Sequence, residues 1–170
     1  MARIYMGSFK NVAVSAAQDF LTIIATTTPK SVRLLRFTLS STDTTIATSQ
    51  MFSVEVALFT GATITAGSGG TTPTANKADN GDPAAVGFTL AANNTTQATT
   101  TGTTNIVYEG GFHVYNGLDE SFVVDGSNPR AAMPIFVQSA ANAGSIIVRT
   151  TNTPTGTIHL SGTVWVEEAG

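Results

Sequence analysis

No cysteine occurs among the 170 residues, which excludes disulfide frameworks, thiolate zinc sites and cysteine nucleophiles. Stability is left to packing or assembly. Charge is also scarce: Asp, Glu, Lys and Arg make up 11% of the chain, less than half of the ~25% usual in soluble proteins. The eight basic and eleven acidic residues are scattered, for a net charge of -3. A binder of phosphate backbones normally carries a basic patch. Nucleic acid is therefore disfavoured as a partner, unless folding gathers Lys10, Lys30, Arg33 and Arg36. Long apolar runs are missing too. "FLTIIA" and "AAMPIFV" fall far short of the ~20 residues of a membrane helix, so no membrane partner is expected. The opening "MARIYMGSFK" lacks the apolar h-region of a signal peptide, which predicts a soluble protein made in a cytoplasm.

What is present favours strands. Hydrophobic residues reach 42%, and 29 threonines accompany 16 glycines, a composition suited to strands and turns. The length suits one domain spanning 1–170, large enough to bury roughly 70% of its unfolded surface.

Alternation of apolar and polar residues marks the strands. "FKNVAVS" at 9–15 and "QDFLTIIA" at 18–25 are spaced as a hairpin, and "SVRLLRFTLSS" at 31–41 is apolar on both parities, as a central strand would be. In "MFSVEVALF" at 51–59, Phe52, Val54, Val56 and Leu58 form one apolar side. Asn116-Gly117 marks a turn before "ESFVV", and "GSNPR" another before "AAMPIFVQSA". "SIIVRTT" and "GTIHLSGTVWVEE" flank "NTPTG", a second hairpin signal. Two tracts rich in Gly, Thr and Asn, 61–84 and 91–104, read as long surface connections. Nine or ten short strands with no amphipathic helix predict an all-β, single-domain antiparallel β-sandwich or jelly roll with long Gly/Thr-rich loops. No fixed-period repeat suggests a propeller or solenoid.

Motifs of catalysis and cofactor binding fail on detail. "GSGG" at 67–70 leads into Thr71, Thr72 and Pro73 instead of the Gly-Lys-Ser/Thr and helix of a phosphate loop. A dinucleotide site would also need a helix after its glycines. His113 and Glu109 share strand parity, but four residues along a strand lie about 13 Å apart, too far to ligate one metal. The adjacent pairs Asp119-Glu120 and Glu167-Glu168 point to opposite faces of a strand, and solvated charges near strand ends are expected. No Gly-x-Ser-x-Gly elbow is present. Asn93 and Asn94 each begin an Asn-x-Thr sequon, read as loop positions. Trp165 with Phe88, Tyr108, Phe112, Tyr115, Phe122 and Phe136 is expected mainly in the core, with a sugar platform as the alternative. No catalytic residue, metal or cofactor is expected.

Four stretches, "SFKNVAVSAAQDF", "KSVRLLRFTL", "GSGGTTPTANKADNGDPAAVGFTLAANNTT" and "LSGTVWVEE", together resemble a family of small proteins encoded by tailed bacteriophages and prophages. The likeness spans most of the chain. It implies a virion protein made in the host bacterial cytoplasm, and supplies no catalytic residues. Within that context a capsid decoration (cement) protein on the capsid exterior is expected, a jelly-roll homo-oligomer, with a trimer favoured, that bridges subunits of the phage major capsid protein. The residues expected to reach neighbouring chains are Arg3, Ile4 and Tyr5, with Gly67, Ser68, Gly69, Gly70, Pro73, Asn93 and Asn94 of the two tracts. Two alternatives stay open: a tail or head-fibre component that binds the host surface, and a carbohydrate-binding module or hydrolase acting on the cell envelope.

Overall fold

Strands whose alternate residues are apolar bury one face and solvate the other, and the last strand shows the rule most cleanly: from Ile158 to Ala169 every second side chain is buried. A computed structural model describes residues 2–26, 30–45, 48–60, 63–122, 135–137 and 144–169. The strands are β1 (Ala2–Val14), β2 (Asp19–Ala25), β3 (Ser31–Ser41), β4 (Met51–Thr60), β5 (Ile64–Thr65), β6 (Asn76–Lys77), β7 (Phe88–Asn94), β8 (Thr99–Thr100), β9 (Thr103–His113), β10 (Leu118–Ser121), β11 (Ile135–Val137), β12 (Gly144–Thr150) and β13 (Ile158–Ala169).

Two antiparallel sheets pack face to face. The first has the order β10-β3-β13-β1-β6, with β11 also on β3; the second runs β7-β2-β12-β4-β9. The expected all-β sandwich is therefore what forms. Between the sheets lies one core, in which Tyr5, Phe20, Phe37, Phe52, Leu34, Leu39, Ile146 and Leu160 are fully buried. A short ribbon of β5 and β8 lies outside the second sheet, where Ile64 and Ala98 cover Ala57, Phe59 and Ile147 as a smaller apolar cluster.

Pairing is nested. β1 pairs with β13, β2 with β12, β3 with β10 and β11, and β4 with β9, while β13 also pairs with β3 and β12 with β4. From β1 to β4, and again from β11 to β13, consecutive strands consequently alternate between the two sheets. The two expected hairpins do not form: β1 and β2 belong to different sheets, as do β12 and β13, so the short polar links 15–18 and 151–157 cross between layers. The turn near Asn116 likewise carries the chain from β9 to β10 in the other sheet, with Asn116 N–H donating to His113 O at 2.8 Å.

Bulges account for strands that looked apolar on both sides, because one extra residue flips the faces of everything beyond it. In β3 the register against β13 shifts at Leu35, so Val32 and Leu34 are buried before it and Phe37 and Leu39 after it. In β1 the shift falls at Lys10 and Asn11, where Asn11 has φ 53° and its N–H donates to Ser161 Oγ at 2.9 Å. Inward positions change there from Phe9 to Val14.

Candidate functional site

The segment from 63 to 87 leaves the end of β4 and returns to β7, and the structure lays it against the sandwich as a strap. It begins in the β5–β8 ribbon, bridges β7 and its extension at Ser68↔Thr96 and Thr71↔Ala92, and then pairs as β6 with Tyr5 and Met6 of β1. The strap thus spans the side where the β7 and β1 edges of the two sheets meet. The tract 91–104 is not a simple exposed connection either: residues 91–94 continue strand β7, with Ala92 and Asn94 buried.

Glycine makes the close approach possible. A Cβ on Gly70 would lie 2.1 Å from Ala92 O, and one on Gly67 2.7 Å from Thr96 O. Gly69 has φ 82°, a left-handed conformation that suits glycine. Pro73, which has no N–H to donate, follows the Thr71 bridge.

All ten residues expected to contact neighbours lie along this strap and its footing. Tyr5 is fully buried, its ring edge-on to Phe88 at 5.7 Å and its hydroxyl donating to Pro83 O at 3.1 Å. Arg3 pairs with Asp82 at 3.7 Å. Ile4 is exposed, while its carbonyl accepts from Ala78 N–H at 2.9 Å. Asn93, with φ 56°, accepts at Oδ1 from the Gln18 amide. Neither sequon asparagine is a loop residue.

Two buried carboxylates secure the strap and its neighbour, and sequence reasoning missed both. Glu168, expected to be solvated, has no solvent exposure; its Oε2 accepts from Val86 N–H at 3.0 Å and Gly87 N–H at 2.7 Å. Asp19 is equally buried and accepts from Ala98 N–H at 2.7 Å. Burial pushes the Asp19 carboxyl up to about 6, against the opposing effects of that hydrogen bond and of Arg149. Asp19, Arg149 and Glu55 are cross-strand neighbours on β2, β12 and β4, and Arg149 pairs with Glu55.

Two further polar clusters among the described residues surround the histidines. Ser49 Oγ lies 2.7 Å from His113 Nε2, yet His113 Nδ1 accepts from Tyr115 N–H at 3.3 Å. That places the neutral ring's proton on Nε2, donating towards the serine, opposite to what a general base requires. His159 Nδ1 faces Asp43 Oδ1 at 2.8 Å, beside a hollow of about 200 Å³ lined with threonines. Among the described residues, no group of three or more His, Asp or Glu could hold a metal. The aromatic set divides: Phe88, Phe112 and Phe122 are core, Tyr108 and Trp165 half-buried, and Tyr115 exposed. Phe136 lies in β11, where only the backbone is described. Arg36 covers a face of Trp165 at 4.8 Å while hydrogen-bonding Asp119 at 2.8 Å.

Opposite the strap, the sandwich opens. β9 ends the second sheet, and all five residues from Thr103 to Val107 are exposed. A cleft of about 370 Å³ separates β9 from β10, lined by Val107, Tyr108, Glu109, Glu120, Ser121 and Phe122. Tyr108 hydroxyl donates across it to Glu120 Oε1 at 2.7 Å. No family model, curated protein or solved structure matches the chain.

Proposed function

We propose that this chain is a structural phage virion protein, a capsid decoration protein that binds the outer surface of the major capsid shell as a homo-oligomer, in the trimeric form the phage resemblance implies, and has no catalytic role. The observation that carries the reading is the β9 edge. The other sheet edges carry short caps among the described residues: β6 of two residues on β1, β10 and β11 of four and three on β3, and the Thr71 bridge on β7. β9 runs for 11 residues without proline, lysine or arginine. It carries one charge, Glu109, and one bulge, at Val107, but its length still leaves unpaired backbone groups on which another chain's strand can add. Exposed Ile106 and Val107 lie on it, and exposed Met51 pairs with its far end at His113.

The nested pairing supports the same reading. We read it as a long antiparallel hairpin rolled into two sheets, the double Greek-key plan of a jelly roll. A sandwich with a long edge open among the described residues suits a bridge between subunits. The mechanism is linkage: a ligand that binds the assembled shell, and not its separated subunits, stabilises the shell by mass action.

A tail or head-fibre role at the host surface is the second reading. Tyr115 favours it, being 58% exposed at the β9–β10 turn with its ring tilted against His113 at 5.0 Å. Immunogold labelling of intact virions with antibody to the purified protein separates the two. Regular label over the head is expected; label confined to the tail moves the assignment to the fibre, and absence from all particles removes both.

A further inference from the structure

Two Asn-Gly steps occur in the chain, Asn80-Gly81 and Asn116-Gly117, and the structure treats their backbone nitrogens differently. Gly81 N–H donates to Asp79 Oδ1 at 2.8 Å, inside a turn closed by Asp82 N–H to Asp79 O at 3.1 Å. Gly117 N–H has no acceptor among the described residues, and both Asn116 and Gly117 are exposed. Asn116 N–H is the group that closes its own turn, on His113 O, which leaves the Asn116 side chain outside that hydrogen bond.

We propose that Asn116 is a self-modification site, which deamidates through its neighbour Gly117 while Asn80 is protected by Asp79. In the reaction the Gly117 nitrogen gives up its proton and attacks Asn116 Cγ. The new N–Cγ bond closes a succinimide, and the Cγ–Nδ2 bond breaks as ammonia leaves with that proton. Water then opens the ring. Attack at Cγ gives aspartate, and attack at the former backbone carbonyl gives isoaspartate; no oxidant or reductant is involved. Glycine suits the second position because it has no side chain to obstruct the approach.

The product changes the crossing between the sheets. It adds a carboxylate three residues before Asp119, whose charge is held by Arg36. The isoaspartyl form also lengthens the backbone just before Leu118, which pairs with Leu39 at the start of β10. A decoration protein that persists outside the cell would accumulate this change with age, although the chemistry does not depend on that role.

Incubation of the intact folded protein at mildly alkaline pH, followed by peptide mass spectrometry and enzymatic isoaspartate labelling, tests the assignment. Asn116 is expected to convert roughly tenfold faster than Asn80, about the factor that first breaking one charge-assisted hydrogen bond imposes. Asp79→Ala should bring Asn80 towards the Asn116 rate, and in denaturant the two sites should react alike. Equal rates in the folded protein, or a difference that persists in denaturant, would overturn the proposal.

Discussion

The Glu168 carboxylate and the Gly87 amide are 2.7 Å apart with no access to solvent, joining the last strand to the end of the strap. A Cβ on Gly87 would meet Lys30 Cβ at 2.5 Å and Glu168 Oε2 at 3.1 Å. The contact therefore depends on both residue types. Glu168→Ala strands the Gly87 N–H in the interior, where an unpaired group costs about 1–3 kcal/mol, and the part-buried Val86 N–H, which water can partly satisfy. A loss of about 3 kcal/mol in urea unfolding is expected. A loss below about 0.5 kcal/mol, the usual effect of a surface change, would show that the carboxylate does not hold the strap.

Asp19 makes stability depend on pH in the opposite sense to an ordinary salt-bridged acid. Its carboxyl titrates near 6 in the folded chain against an ordinary value of 3.8, so folding favours the protonated form. The stabilising effect is full below about pH 4 and is lost as pH rises through about 6, amounting to about 3 kcal/mol at most. Asp19→Asn keeps an oxygen for Ala98 N–H and cannot ionise. Unfolding midpoints measured from pH 4 to 8 should fall in the native protein and stay flatter in the variant; parallel curves would assign the dependence to another group.

Gly70→Ala tests the strap directly, since the new methyl would lie 2.1 Å from Ala92 O and 2.7 Å from Asn93 C, both backbone atoms that cannot swing aside. The Thr71↔Ala92 bridge should open, with faster proteolytic cleavage between 66 and 74. Gly156→Ala is the contrast. It has φ 79° but nothing within 4 Å, so its expected cost is confined to backbone strain of about 1–2 kcal/mol. Equal cleavage in both variants would remove the steric argument.

Ile106→Lys places a charge on the exposed β9 edge, a substitution that blocks strand addition in natural sheets. Sedimentation should show smaller assemblies than the native protein, with unfolding changed by no more than about 0.5 kcal/mol. Ser40→Lys, at an exposed position on the first sheet, should leave assembly intact. Unchanged assembly in Ile106→Lys would mean that copies meet elsewhere.

Where period and burial agreed, the sequence was readable: Phe52, Val54 and Val56 of β4 and the alternation of β13 give their inward faces directly. Adjacency misled. A short polar gap looks the same whether it closes a hairpin or crosses between layers, and the links before β2 and β13 do the latter. Asn93 and Asn94 carry little strand preference, yet the strap beside them buries Ala92 and Asn94 and continues β7 through the left-handed Asn93. The candidate surface was only partly visible for the same reason. Tyr5 and the glycines at 67, 69 and 70 were expected to reach neighbouring chains, and nothing local showed that long-range contacts also tie them into the chain's own closure. Glu168 gave no local signal at all, because its partners Val86 and Gly87 are 82 and 81 residues away.

Nested pairing also sets the order in which the molecule can be built. β13 lies between β1 and β3 in its sheet, although the ribosome makes it after every other described strand. β1, emerging first, must wait through the synthesis of the intervening chain before its main partner exists. Contacts so distant in sequence fold slowly, which leaves the nascent chain's Tyr5 and Phe9 face uncovered until β13 has been made. The first sheet therefore closes late, and until then its uncovered apolar face is the part of the chain most exposed to aggregation.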